Sequence, residues 1–181
     1  MVRRATRRVL VTAALIGLVA CTPAPTPSPS PSVTPTETPS ASPSQVTPSF
    51  STEQRAAADV VVKFYEIQNQ IATNYEVPLD ALYQVAGGDL AQTRLQELQQ
   101  WRGREWRQTG AAVPEVRNVV SDTQPFQVDV CVDTTALDIV DSDGNSVVAE
   151  GNPTLVLHRF TVANVGGTLR AVQQERVETP C

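Results

Sequence analysis

The hydrophobic patterning of this chain changes period once, and the change predicts an α+β domain with helices first and an antiparallel sheet after them. Two observations carry the prediction. Between Ser51 and Arg102 apolar residues recur at the 3.6-residue spacing of a helix, whereas beyond Gly110 they alternate with polar ones, as in strands with one buried face. A third observation sets the limits of the domain: from Thr22 to Ser49 the chain is almost entirely Pro, Ser, Thr and Ala, and cannot bury a core. Helices that precede a sheet in sequence pack together on one of its faces.

Each element has its own signal. Ser51, Thr52, Glu53 and Gln54 read as a capping box that opens an amphipathic helix through Ala57, Val60, Val61, Phe64, Ile67, Gln68 and Ile71, stopping near Val77 and Pro78. Leu79 to Val85 predicts a short second helix that ends at Gly87 and Gly88. Asp89 is placed as the N-cap of a third, which runs through Leu90, Leu95, Leu98 and Trp101 to about Arg102. Val113, Val116, Val119 and Val120 predict a strand broken around Pro114. Phe126, Val128, Val130 and Val132 alternate with Gln127, Asp129, Cys131 and Asp133 in a second. Two hairpins follow: Leu137–Val140 with Val147–Ala149 about the turn Asp141–Asn145, and Leu155–Val162 with Leu169–Val177 about Asn164–Gly167.

The segment before the domain reads as an export leader and a tether. Arg3, Arg4, Arg7 and Arg8 precede an apolar stretch from Val9 to Ala20, too short to span a bilayer and the right length for a signal peptide over residues 1–20. Leu18, Val19, Ala20 and Cys21 resemble a bacterial lipobox, which implies lipid attachment at Cys21 and an anchored protein on the outer face of the cytoplasmic membrane. Thr6 to Leu10 also resembles a twin-arginine export signal, although Val11 stands where that pattern has a basic residue. Residues 21–50 then form a disordered spacer that, in polyproline II, reaches at most roughly 80 Å. Its Ser/Thr-Pro alternation also resembles glycosylated stalks.

Charge and cysteines exclude several function classes. The chain has 14 Lys and Arg against 19 Asp and Glu; without the four leader arginines the mature form carries −9, which argues against nucleic acid as a partner. With Cys21 lipidated, Cys131 and Cys181 remain as an even pair in an oxidising compartment and are expected to form a disulfide. A single histidine and no CxxC spacing leave no metal site, and nothing implies a cofactor.

The order of elements from Ser51 to Cys181 resembles the NTF2-like fold, a cone in which a curved sheet wraps the long first helix. Trp106–Gly110, Val130–Asp133 and Val140–Gly144 look like NTF2-like (SnoaL-like or ketosteroid isomerase-like) lipoproteins of actinobacteria, most of unknown function. The fold hosts enzymes, ligand binders and adaptors, so function rests on the site. Ketosteroid isomerase-like and polyketide cyclase-like members imply a base and an oxyanion donor inside the cone; here Tyr65, Trp106 and His158 are the pocket candidates. His158 shares a strand face with Val156, Phe160 and Val162, while Asp129 and Asp133 fall on the opposite face, toward solvent. A structural histidine is the competing reading, because no positioned partner is legible. Asp141–Asn145 lacks the spacing of a calcium loop and reads as a turn. Trp101 and Trp106, interleaved with Arg102, Arg104 and Arg107, read as a helix end with indoles packed under the sheet rather than a nucleic-acid or glycan platform.

The expectation is a non-catalytic, membrane-anchored module with a protein partner in the cell envelope. The alternative is a carrier of a small apolar ligand or an isomerase-like or cyclase-like enzyme. A deep pocket with a buried carboxylate beside His158 favours the enzyme; an interior plugged by Phe64, Trp106 and Phe160 favours the module.

Overall fold

A computed structural model of the chain describes residues 49–181; the leader, Cys21 and the spacer up to residue 48 lie outside them. The first helix, α1, spans Thr52–Thr73. Its capping box is formed: the Gln54 amide donates to Ser51 Oγ at 3.2 Å, and the Ser51 amide donates to Gln54 Oε1 at 2.9 Å. Gln54 also ties the helix start to the sheet, its amide donating to Ser121 O at 3.3 Å and Asp122 Oδ1 at 3.1 Å. Buried Ala57, Val61, Phe64, Tyr65 and Ile71 give α1 its apolar stripe.

Three helix limits differ from expectation, each for a local reason. α1 ends at Thr73, before Val77, because Asn74 is extended and its side chain accepts from the Glu76 amide at 3.0 Å, offering the backbone a turn in place of the helix. The second helix, Leu79–Gln84, is 3₁₀ rather than α. Six residues behind Pro78 are short enough for i→i+3 bonds to prevail, and fully buried Leu82 anchors them. α2 spans Gly88–Gly103 with Gly87, not Asp89, as its N-cap. The cause is tertiary: the Gly87 amide donates to Ala171 O at 2.9 Å and the Ala171 amide to Val85 O at 2.8 Å, so the chain is held extended until Gly87. Asp89 still lies in the first turn, where its charge suits the helix dipole.

Two sheets follow. β1 (Arg107–Thr109) pairs antiparallel with β4 (Asp138–Val140). β2 (Val113–Val119), β3 (Phe126–Asp133), β5 (Leu155–Val165) and β6 (Thr168–Arg176) form an antiparallel sheet in the order β2-β3-β5-β6. Pro114 is tolerated because β2 is an edge strand, and a register shift between Val116 and Asn118 marks a bulge there. β1 is absent from the sequence reading: three residues with one buried side chain, the polar Gln108, leave no alternation to detect. Conversely, Val147–Ala149 is no strand. Asp141 Oδ1 accepts from the Asp143 and Asn145 amides to build the expected turn, but after the Val147 amide bonds Ile139 O the chain departs. The β5–β6 turn is tighter than expected, Gly166 and Gly167 alone making it at φ 61° and 88°.

The core lies between α1 and the inner face of the larger sheet. Phe126, Val128, Val130 and Val132 from β3 and Phe160 and Val162 from β5 meet Val61, Phe64 and Ile71 there. α2 and the 3₁₀ turn close one side through Leu82, Leu90, Leu95 and Leu98. Asn69 joins α1 to the β1–β2 connection, donating to Ala112 O at 2.9 Å and accepting from the Ala112 amide at 3.1 Å and Gln108 Nε2 at 2.8 Å. Within that connection Gly110 has φ 65°, and a Cβ there would stand 1.8 Å from Ala136 O, so only glycine fits. On the outer face Cys131 and Cys181 form the expected disulfide, Cα atoms 5.6 Å apart. Among the described residues no helix is long and apolar enough to cross a membrane.

Candidate functional site

Strand register places His158. It lies opposite Val130 on β3 and Arg176 on β6, so its ring shares the inner face with Phe160 and Val162, as the alternation predicted. Asp129 and Asp133 take the outer face, where Asp129 binds Arg159 through two bonds of 2.7 and 3.0 Å.

Deeper along that inner face, the space between α1 and β5 is filled. Phe64, Tyr65 and Phe160 pack edge to face with centroids 5.4 to 5.8 Å apart, and Phe64 and Phe160 are fully buried. Two of the three expected plugging residues are therefore in place, and Tyr65 stands where Trp106 was expected. Trp106 sits elsewhere, before β1, with the Arg104 guanidinium 4.6 Å above its ring and its carbonyl accepting from the Tyr75 hydroxyl. Trp101 packs against the core. The structure thus brings Tyr65 and His158 together and leaves Trp106 out.

What joins Tyr65 to His158 is Gln174. Its Nε2 lies 3.2 Å from the Tyr65 hydroxyl and 3.0 Å from His158 Nδ1, while its Oε1 accepts from Arg94 Nη2 at 2.9 Å. Arg94 in turn pairs with Glu97 at 2.5 Å. Above this network a cavity of about 640 Å³ opens between α2 and β6, lined by Asp89, Thr93, Arg94, His158, Gln174 and Arg176 among others. Burial, reinforced by Arg94 and Arg176 and opposed by a hydrogen bond with the Glu175 backbone, holds the His158 pKa below the usual imidazole value. Burial also pushes the Tyr65 hydroxyl well above the phenol range, Arg94 and Gln174 opposing, so it stays protonated.

A carboxylate beside a histidine base orients the ring and raises its affinity for a proton. Here the charged neighbours of the imidazole are guanidinium groups. Among the described residues no carboxylate pairs with His158, and Asp89 is exposed at the cavity's rim. No group of ligating side chains among them could hold a metal ion. Arg94 and Arg176 give the cavity a cationic side next to the imidazole.

Sequence reasoning missed Arg94 and Gln174. Arg94 had a signal: it falls four residues after Leu90 and four before Leu98, a charge inside the buried stripe of α2. Gln174 had none, because a bulge at the register shift opposite Thr161 and Val162 inserts Val172 and turns Gln174 inward, where strict alternation from Ala171 would turn it out.

No protein-family model matches the chain, and no curated protein does. Among solved structures it is similar to the crystal structure of the intermembrane space region of the chloroplast protein ARC6, with a TM-score of 0.55 and 15% sequence identity over 73% of this chain and 100% of that one. At that identity the likeness extends to the fold alone, an α+β arrangement with helices packed on an antiparallel sheet.

Proposed function

We propose that the chain is a surface lipoprotein whose domain acts by binding a partner protein and not by catalysis. Cys21 carries the lipid, residues 21–50 hold the domain away from the outer face of the cytoplasmic membrane, and the folded part is an NTF2-like domain akin to those of actinobacterial lipoproteins. The long first helix lying across an antiparallel sheet supports that kinship. The observation that carries the reading is the filled interior: Phe64, Tyr65 and Phe160 occupy the place where a cone-pocket enzyme or carrier would hold an apolar substrate. The cavity beside His158 carries guanidinium, imidazole and amide groups among its walls, which an apolar ligand would leave without partners.

Two measurements test this. Cys21→Ala protein is expected to leave the membrane fraction or to accumulate with its leader uncleaved; retention of the cleaved, mature-length chain in the membrane at the wild-type level overturns the anchor. A native mass spectrum of protein purified from its own cells is expected to give the chain with its lipid and no more. A stoichiometric bound apolar molecule would transfer the assignment to a carrier.

A further inference from the structure

Two depressions flank Arg176. On one side is the cavity of about 640 Å³ that holds the charged and polar groups His158, Gln174 and Arg94 beside Leu90 and Val172. On the other is an apolar hollow of about 380 Å³, walled by Leu137, Ile139, Val148, Pro153 and Val156. Arg176 lines both. It is exposed and forms no ion pair with any described residue. Arg94, by contrast, is already matched by Glu97.

The two depressions are in step with a strand. Val156 faces the apolar hollow and His158 the polar cavity, and these are consecutive inner-face positions of β5. Residues two apart along a strand are separated by about 7 Å. An extended polypeptide laid across the end of β5 therefore presents its own side chains at the same interval, one to each depression. The apolar hollow accepts an aliphatic or aromatic side chain; the guanidinium of Arg176 accepts a carboxylate, with His158 beside it as a donor.

We propose that the paired depressions about Arg176 form the binding site for an extended segment of the partner protein in which an acidic side chain stands two residues from an apolar one. This rests on the protein-binding function proposed above and names the chemistry of the partner. An acidic domain repels most acidic segments at long range, so a cationic seat beside a fitted apolar hollow selects the one sequence that satisfies both. The groups around the imidazole are Arg94 on α2, with Asp89 at the cavity's rim, Tyr65 on α1 reached through Gln174, and Gln174, Arg176 and the Glu175 backbone on β6. An entering carboxylate counters the two guanidinium groups, so His158 takes up a proton more readily in the complex and binding tightens as the pH falls through the imidazole range.

The test uses the full detergent-solubilised chain and a phage-displayed library of random heptapeptides. Panning at pH 6 is expected to enrich peptides with Asp or Glu two residues from an apolar side chain. A synthetic enriched peptide should bind at least tenfold more weakly to Arg176→Ala protein, and its Gln-for-Glu analogue should lose as much on the wild type. His158 is the chain's single histidine, so its imidazole gives one signal by NMR; the Glu peptide should raise its pKa and the Gln peptide should not. Enrichment without an acidic residue, undiminished binding to Arg176→Ala, an unmoved imidazole signal or no enrichment each overturns the site. If peptides of another pattern bind elsewhere, the protein-binding function stands while this site falls; a stoichiometric small molecule in the native mass spectrum removes the function itself.

Discussion

His158 lies in a network that disfavours its charged form and in which no carboxylate pairs with it. Its ring nitrogen lies 3.0 Å from the Gln174 amide, and burial together with two guanidinium groups disfavours the imidazolium. The folded pKa is therefore below the value of about 6.5 that the unfolded chain shows. Between the two values the unfolded state binds a proton that the native state refuses, so stability present above about pH 6.5 is lost as the pH falls from there through the folded pKa. Urea midpoints measured from pH 8 to pH 5 should decline across this window in the wild type. In His158→Gln the decline should be absent until the carboxylates titrate. Asp133 and Asp141, whose pKa values are lowered by hydrogen bonds with Thr135 and Asn145, belong to that separate, more acid window. Coincident pH profiles for the two proteins would mean that the fold does not resist charging the imidazole.

At the scale of elements, polar joints decide how the helices meet the strands. Asn69 is the clearest: Asn69→Ala leaves the amide of buried Ala112 without its partner and strips buried Gln108 of an acceptor. The orphaned Ala112 amide costs about 1–3 kcal/mol and the lost Gln108 bond about 1 more, its Nε2 keeping Gly110 O at 3.2 Å, so chemical denaturation should show a loss of about 2–4 kcal/mol, and a loss under about 1 would mean that water replaces both bonds. The end of α2 points the other way. The Trp106 amide bonds Trp101 O at 2.9 Å and the Glu105 amide bonds Arg102 O at 3.2 Å, a Schellman pair with Glu105 at φ 58° in the position that glycine favours. Glu105→Gly should raise stability by up to about 1 kcal/mol by relieving the left-handed strain, and any destabilisation would assign Glu105 a contact that the cap does not explain. These two elements also show what was legible. The capping box and apolar stripe of α1 are local signals and are found where the sequence puts them. The α2 start and β1 depend on partners far along the chain, Ala171 for Gly87 and Ile139 for Gln108, whereas at 147–149 the first hairpin bond, from Val147 to Ile139, forms and the chain then departs.

For the molecule as a whole, the division into helices and sheet was legible because each half keeps one period throughout. The candidate site was legible only in His158 and Tyr65, because its remaining members depend on a bulge in β6 and on a charge inside a helix stripe. The disulfide was legible from cysteine arithmetic and is the one covalent crosslink among the described residues. It closes a span of 50 residues between the central strand β3 and the segment after β6, so Cys131 is almost fully buried on a face whose other positions are polar and more open. The chain-entropy argument places the gain in the unfolded state, where a loop of that size is worth about 4 kcal/mol. Cys181→Ser removes the crosslink and leaves the Cys131 side chain to pack as before, so it isolates that term. Stability should fall by about 2–4 kcal/mol, with the urea m-value rising because the unlinked chain exposes more surface on unfolding. Reduction of the wild type with dithiothreitol should match the variant in both quantities. A loss with an unchanged m-value would move the effect to the native state, in the packing of residues 177–181 over β3.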